Sequence, residues 1–171
     1  MNFLTQYQNK IVKYDLINTF NYKLLPKLPE IEHITLSLKV KKPNIKFLSS
    51  AMIALTLLTS QKGSLTKSKI SNISLKIRKG HPIGCKITLR KKNMNMFLFE
   101  LLNKILATTC IKTIETNNLF SINVRNALIF PDIEKNYQFF KNLPCLDVNI
   151  KTTKCTLNEF KYLINSYKLV I

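Results

Sequence analysis

Apolar and polar positions alternate from His33 to Lys41, where Ile34, Leu36, Leu38 and Val40 interleave with Thr35, Ser37, Lys39 and Lys41. This two-residue period predicts a strand with one buried face, ended by Pro43. The period returns in Ile73, Leu75 and Ile77 against Ser74, Lys76 and Arg78, and again in Cys85, Ile87 and Leu89 against Lys86, Thr88 and Arg90. Those two runs read as strands joined by a hairpin loop at Lys79 to Pro82. Further strands are expected at Cys110 to Glu115, Leu119 to Phe130 and Leu146 to Thr152, with a loop containing Pro131 and Pro144 before the last of them.

Between the strands the period changes to that of a helix. Leu4, Tyr7, Ile11, Tyr14 and Ile17 predict an N-terminal helix over 3–20, with Pro26 and Pro29 in the linker after it. Leu48, Ala51, Met52, Leu55 and Leu58 predict a second helix, and Ser60 to Gly63 a turn. Phe97, Leu98, Leu101, Leu102 and Ile105 form the stripe of a third, from Asn95 to Ala107. Thr156 and Glu159 have the spacing of a capping box and start a last helix, 156–168, whose apolar face is Phe160, Leu163, Ile164 and Tyr167. Strands and helices in this order predict an α+β fold. A chain of 171 residues with 46% hydrophobic content suffices for one domain over 1–171 with its own core.

Charge changes the picture most. The region 33–99 carries fourteen Lys and Arg and no carboxylate, while the rest of the chain has thirteen bases and nine acids. The net charge of +18 is therefore local, and localised charge raises the local potential and captures anions. If the apolar residues of the three strands share one face, then Thr35, Ser37, Lys39, Ser74, Lys76, Arg78, Lys86, Thr88 and Arg90 share the other. Cations neutralise phosphates, and hydroxyls bond phosphate oxygens and 2′-hydroxyls. The expected face has no aromatic residue on which bases could stack, so it suits folded RNA read by shape and backbone. Gly84 opens the third strand either for close backbone approach or for a bulge.

Other chemistry finds little support. No two carboxylates pair within the basic region, and His81 stands in a loop beside Pro82 with no titrating partner in sequence. No glycine loop of the dinucleotide or P-loop type occurs. Cys85, Cys110, Cys145 and Cys155 lack metal-ligand spacing, so no metal and no cofactor is expected. No apolar run reaches membrane-spanning length, which argues against membrane insertion, and the N-terminus lacks the look of a signal or transit peptide. Lys, Asn and Ile make up 62 residues, and Lys outnumbers Arg 24 to 3. Those residues have AT-rich codons, a bias of AT-rich genomes such as those of organelles.

The run KIRKGHPIGCKITLR, from Lys76 to Arg90, resembles the bacterial-type large-subunit ribosomal protein L-five family, the 5S rRNA-binding proteins of the central protuberance. Supporting matches are PEIEHITLSL from Pro29, the Gln61-Lys62 turn with Thr66-Lys67, IFPDI from Ile129 and DVNIKTT from Asp147. The resemblance implies an antiparallel sheet of about five strands backed by helices, and a structural, non-catalytic role in translation. It implies 5S rRNA as partner, P-site tRNA and a small-subunit head protein near Ile70 to Pro82, and neighbouring central-protuberance proteins. The family's RNA-contacting asparagine, glutamine and threonine fall at Ser37, Gln61 and Thr88. The full expected RNA-binding set is Thr35, Ser37, Lys39, Lys41, Gln61, Lys62, Thr66, Lys67, Lys69, Lys76, Arg78, Lys79, His81, Lys86, Thr88 and Arg90.

The chain departs from the family in four respects. Ser37 loses the amide, Lys39 and Lys41 replace glycines, and Gly63 stands where proline is usual. The family's glycine-rich loop is shortened between Thr108 and Arg125. Together with the codon bias, and a family match that starts near residue 3, this erosion predicts a mitochondrially encoded copy, with a plastid or an AT-rich bacterium as the other sources. A reading from another class is a free-standing basic RNA-binding module or RNA chaperone outside the ribosome.

Overall fold

The computed structural model describes residues 3–22, 24–39, 45–105, 111–116 and 118–169. The helical elements are α1 (Phe3–Tyr7), a π turn (Gln8–Val12), α2 (Lys13–Phe20), α3 (Ile45–Thr59), α4 (Lys91–Ile105), α5 (Pro131–Glu134), α6 (Tyr137–Phe140) and α7 (Leu157–Ser166). Short 3-10 turns stand at Leu25–Lys27 and Ala127–Ile129. The strands are β1 (Ile31–Lys39), β2 (Ser64–Lys67), β3 (Pro82–Leu89), β4 (Ile111–Thr116), β5 (Leu119–Val124) and β6 (Leu146–Thr152). They form one sheet in the order β2-β3-β1-β6-β5-β4.

Alternation along the strands sets the layers. Ile34, Leu36 and Leu38 of β1, Cys85, Ile87 and Leu89 of β3, Phe120, Ile122 and Val124 of β5, and Leu146, Val148 and Ile150 of β6 are all buried. The intervening positions are half-buried or exposed. Each fully buried Leu, Ile or Phe contributes about 1.5–3 kcal/mol relative to exposure, so each of these strands turns one row of side chains into the core. The α+β class and an antiparallel sheet with helices agree with expectation.

Contacts divide the chain into two compact units, one of Met1–Ile34, Leu89–Ile122 and Asn149–Ile171, the other of Thr35–Thr88 and Asn123–Val148. In the first, α7 begins with the capping box foreseen in sequence. The Thr156 hydroxyl accepts from the Glu159 amide, and the Glu159 carboxylate accepts from the Thr156 amide at 2.7 Å. Phe160, Leu163, Ile164 and Tyr167 are buried, and the Tyr7 hydroxyl donates to the Ser166 carbonyl at 3.0 Å. In the second unit, α3 buries Leu48, Ala51, Ala54, Leu55 and Leu58 and packs on α5 and α6.

Several expectations are corrected. The N-terminal helix spans 3–20, but its buried residues are Leu4, Val12 and Leu16, while Ile11 and Tyr14 are exposed. The π turn takes up one extra residue, so beyond it the inward face moves on by one position. The expected strand at Ile73 to Arg78 is absent. Residues 73–76 form a turn closed by a single bridge between Asn72 and Ile77, with Ile73 at 93% exposure. The Asn72 side-chain oxygen accepts from the Ser74 hydroxyl at 2.6 Å and the Leu75 amide at 3.4 Å, and such local bonding competes with a ladder. Lys76 stands at φ +54°, which no strand tolerates. The partner of β3 is instead β2, in a segment with no long alternating run.

Strand β5 ends at Val124 rather than Phe130, because the Asn126 side chain accepts from the Leu128 amide and opens a 3-10 turn. The Pro131–Pro144 segment, expected as loop, contains α5 and α6. Lys41, Val40 and Cys110 lie outside the described residues.

Candidate nucleic-acid interface

The second unit holds fourteen Lys and Arg against three carboxylates. Its three neighbouring strands β2, β3 and β1 present one polar face. On β3, Lys86 is exposed and Thr88 half-buried, alternating with buried Cys85 and Ile87. On β1, Thr35 and Ser37 are half-buried and Lys39 exposed. In the antiparallel β2–β3 pair Ser64 stands opposite Lys86, and Thr66 opposite Gly84. Opposed residues in such a pair point to the same face, so Ser64 and Thr66 extend the strip of Lys86 and Thr88.

Helix α3 positions the next group. It stops at Ser60, in left-handed conformation at φ +51°, and the Gln61 amide bonds to the Thr59 hydroxyl at 3.3 Å. The chain reverses there, and the Gln61 side-chain amide donates to the Thr88 carbonyl at 3.4 Å. Gln61 and Thr88, separated by 27 positions in sequence, are thus neighbours. Ser64 donates its hydroxyl to the Lys86 carbonyl at 3.2 Å, which ties the edge strand to β3.

Gly84 answers both readings offered by sequence. A Cβ there would lie 2.5 Å from the Leu38 carbonyl oxygen and 3.3 Å from the Lys39 Cα, so β1 approaches too closely for any side chain. The pairing also shifts register between Thr66 and Lys67, opposite Gly84, as a bulge does. At Gly63 a Cβ would press on Ile87 and Met52, at 3.2 and 3.4 Å. A side chain there would fit only if Ile87 gave way by a few tenths of an ångström.

Beyond β2 the chain leaves the sheet as a loop from Lys69 to Gly80. Ser68 clamps its base. Its hydroxyl donates to the Arg78 carbonyl at 2.6 Å, its amide to the His81 carbonyl at 2.8 Å, and its own carbonyl accepts from Gly80 at 3.0 Å. Gly80 takes φ +86° to complete the turn. The loop exposes Lys69, Lys76, Arg78 and Lys79, together with Ile70, Ile73 and Leu75, and His81 is exposed at its foot. Arg78 and Lys76 therefore belong to a projecting loop and not to a sheet face.

Among the described residues no carboxylate pairs with Lys62, Lys67, Lys69, Lys76, Arg78, Lys79 or Lys86. Lys39 differs, since its ammonium lies 3.3 Å from Asp147, which also accepts from the Asn123 amide at 2.6 Å. Arg90 follows β3 directly, is exposed, and falls in the first unit. In that unit Glu32 is held below its ordinary pKa, chiefly by the Lys151 ammonium bonded to it, with a smaller contribution from Arg90. Burial raises the pKa of the Cys85 thiol, which donates to the Leu48 carbonyl and behaves as a core residue. Among the described residues no three His, Cys, Asp or Glu side chains gather to hold a metal, and no helix is long and apolar enough to cross a membrane.

The structure thus brings together Thr35, Ser37, Lys39, Gln61, Thr66, Lys86 and Thr88 on strands and an adjoining turn, with Lys62 and Lys67 exposed beside them. It places Lys69, Lys76, Arg78, Lys79 and His81 on or at the loop. Sequence reasoning missed Ser64, Ser68, Asn123 and Asp147. The alternation Ser64, Leu65, Thr66 was the available signal for Ser64, but four residues are too few to establish a period.

Comparison with known proteins places the chain in a family. The model of the C-terminus of the ribosomal L-five protein family matches residues 82–170. The chain is 32% identical over 177 residues to the large ribosomal subunit protein uL5m of Reclinomonas americana, covering 99% of this chain and 97% of that one. It is 34% identical to the uL5 protein of Wigglesworthia glossinidia brevipalpis, with 96% of each covered. Against the uL5 protein of Geotalea uraniireducens the identity is 33%, covering 96% and 95%. A polar, carboxylate-poor sheet face, a projecting basic loop and matches along nearly the whole length lead to one assignment: the chain belongs to the uL5 family of structural, non-catalytic ribosomal proteins.

Proposed function

We propose that this chain is a constituent of the large ribosomal subunit that holds folded ribosomal RNA on the polar face of β2, β3 and β1. The RNA is 5S rRNA in the central protuberance, following the family resemblance. The reading rests above all on one observation: hydroxyl groups of Ser64, Thr66, Thr88 and Ser37 interleave with ammonium groups along the strands, with the Gln61 amide held beside them at the Thr88 carbonyl. Ammonium groups bind phosphate wherever it lies, and fixed amides and hydroxyls require it at particular distances, which favours a preformed RNA shape.

Lys41, expected in the same set, keeps its proposed role from its place after β1. The loop of Lys69, Lys76, Arg78 and Lys79, closed by Ser68 and followed by His81, extends toward P-site tRNA and the small-subunit head. Arg90 adds a cation at the end of β3. The excess of Lys, Asn and Ile and the similarity to a uL5m protein support a mitochondrial ribosome as its location. Sedimentation of purified ribosomes in high salt tests the assignment. The protein stays with the large subunit if it is built into the RNA, and is washed off if it is a free-standing RNA-binding module or chaperone.

A further inference from the structure

We propose that Asp147 is a specificity-determining residue of the RNA surface: its carboxylate turns away RNA that brings a phosphate to the border of β1 and β6, and accepts only a hydrogen-bond donor there. The inference rests on the RNA reading above and adds to it what the surface refuses. Of the three carboxylates in the second unit, Asp132 and Glu134 belong to α5, and among the described residues Asp147 is the one carried by a strand. It stands on β6, between β1 and β5 in the sheet. Leu146 and Val148 on either side of it are buried, whereas its own side chain is 25% exposed, so by the alternation of the strand it points away from the core. Both flanking strands hold it. Lys39 of β1 places its ammonium 3.3 Å from one carboxylate oxygen, and Asn123 of β5 donates its side-chain amide to the other at 2.6 Å. All three residues lie in the second unit.

Neither contact accounts for a negative charge at this point. The bond from Asn123 needs an oxygen acceptor, which a side-chain amide supplies as well. The Lys39 side chain is 75% exposed, and an ion pair so open to water adds little to stability. The charge acts instead on what approaches. A carboxylate only accepts hydrogen bonds, as a phosphate does, so the two repel, while base amino groups and 2′-hydroxyls are RNA groups that donate to it. Two contacts leave part of its roughly four lone-pair positions open to such a donor. The exposed ammonium groups of Lys62, Lys67 and Lys86 attract any phosphate backbone. A fixed repulsive group on the neighbouring strand separates RNA whose backbone keeps clear of β6 from RNA whose backbone crosses it.

The test compares the full chain with Asp147→Asn, which keeps an acceptor for Asn123, and with Asp132→Asn, which changes the net charge equally but on α5. Affinity for 5S rRNA and for an unrelated RNA duplex is titrated at one fixed salt concentration. Asp147→Asn is expected to tighten binding of the duplex roughly tenfold and of 5S rRNA not at all, so that the preference for 5S rRNA falls by at least that factor. Asp132→Asn should leave the preference as it is in the unsubstituted chain. A gain on the duplex is a result that loss of structure does not produce. No gain on the duplex, an equal gain on 5S rRNA, or the same shift in Asp132→Asn would overturn the proposal while leaving the RNA reading in place. An unsubstituted chain with no preference between the two RNAs would overturn that reading, and the proposal with it.

Discussion

Residues on β3 divide the labour between core and partner one position at a time. Ile87 is 3% exposed and Lys86, beside it, points the other way. Ile87→Ala should lower stability by about 2–5 kcal/mol, through lost burial and the cavity left behind. Lys86→Ala should leave the urea midpoint nearly unchanged and weaken RNA binding. The reverse result would place the strand out of register by one residue. This division was legible in sequence because Cys85, Ile87 and Leu89 alternate without interruption. The role of Gly84 was only half legible, since the approach of the Leu38 carbonyl depends on a strand far away in sequence. Thr88 was legible in the alternation of its strand, Gln61 entered through the family resemblance alone, and their contact was invisible to periodicity.

Elements were readable in proportion to their length and punctuation. The capping box of α7 and the bounds of β6 agree with expectation because Thr156, Glu159 and a seven-residue alternating run are local signals. The N-terminal helix was found, but its inward face was misread, since nothing local announces a π turn. The run at Ile73 to Arg78 alternates like a strand and is a loop, because the Asn72 side chain and the left-handed Lys76 hold a turn there. That loop depends on Ser68 at its base. Ser68→Ala removes the 2.6 Å bond and leaves the Arg78 carbonyl held by the His81 amide alone, at 3.1 Å. Trypsin should then cut at Lys76, Arg78 or Lys79 several-fold faster, by local opening, while the thermal midpoint of the whole chain moves little. Cleavage unchanged by the substitution would show that the loop is held by something else.

The molecule as a whole concentrates its charge in one unit, where fourteen bases face three acids. If some six to ten of these cations contact phosphate, affinity for 5S rRNA should fall by roughly a thousandfold or more between low and moderate salt. Lys76→Ala should lower the salt slope by about one unit and weaken all RNAs alike. A flat salt response would refute an electrostatic interface. Charge alone, however, describes any basic protein; the role proposed for the uncharged groups beside the cations is narrower, to read the shape of ribosomal RNA.

That claim is tested most directly by the double substitution Gln61→Ala and Thr88→Val, which preserves the charge and the long-range field. Binding of the folded variant is measured by titration against 5S rRNA and against an unrelated RNA duplex. Loss of hydrogen bonds to desolvated RNA groups should cost about 1–3 kcal/mol on 5S rRNA, with the salt slope unchanged and the duplex scarcely affected. Equal losses on both RNAs, or no loss on either, would contradict the account and leave only a non-specific cationic surface.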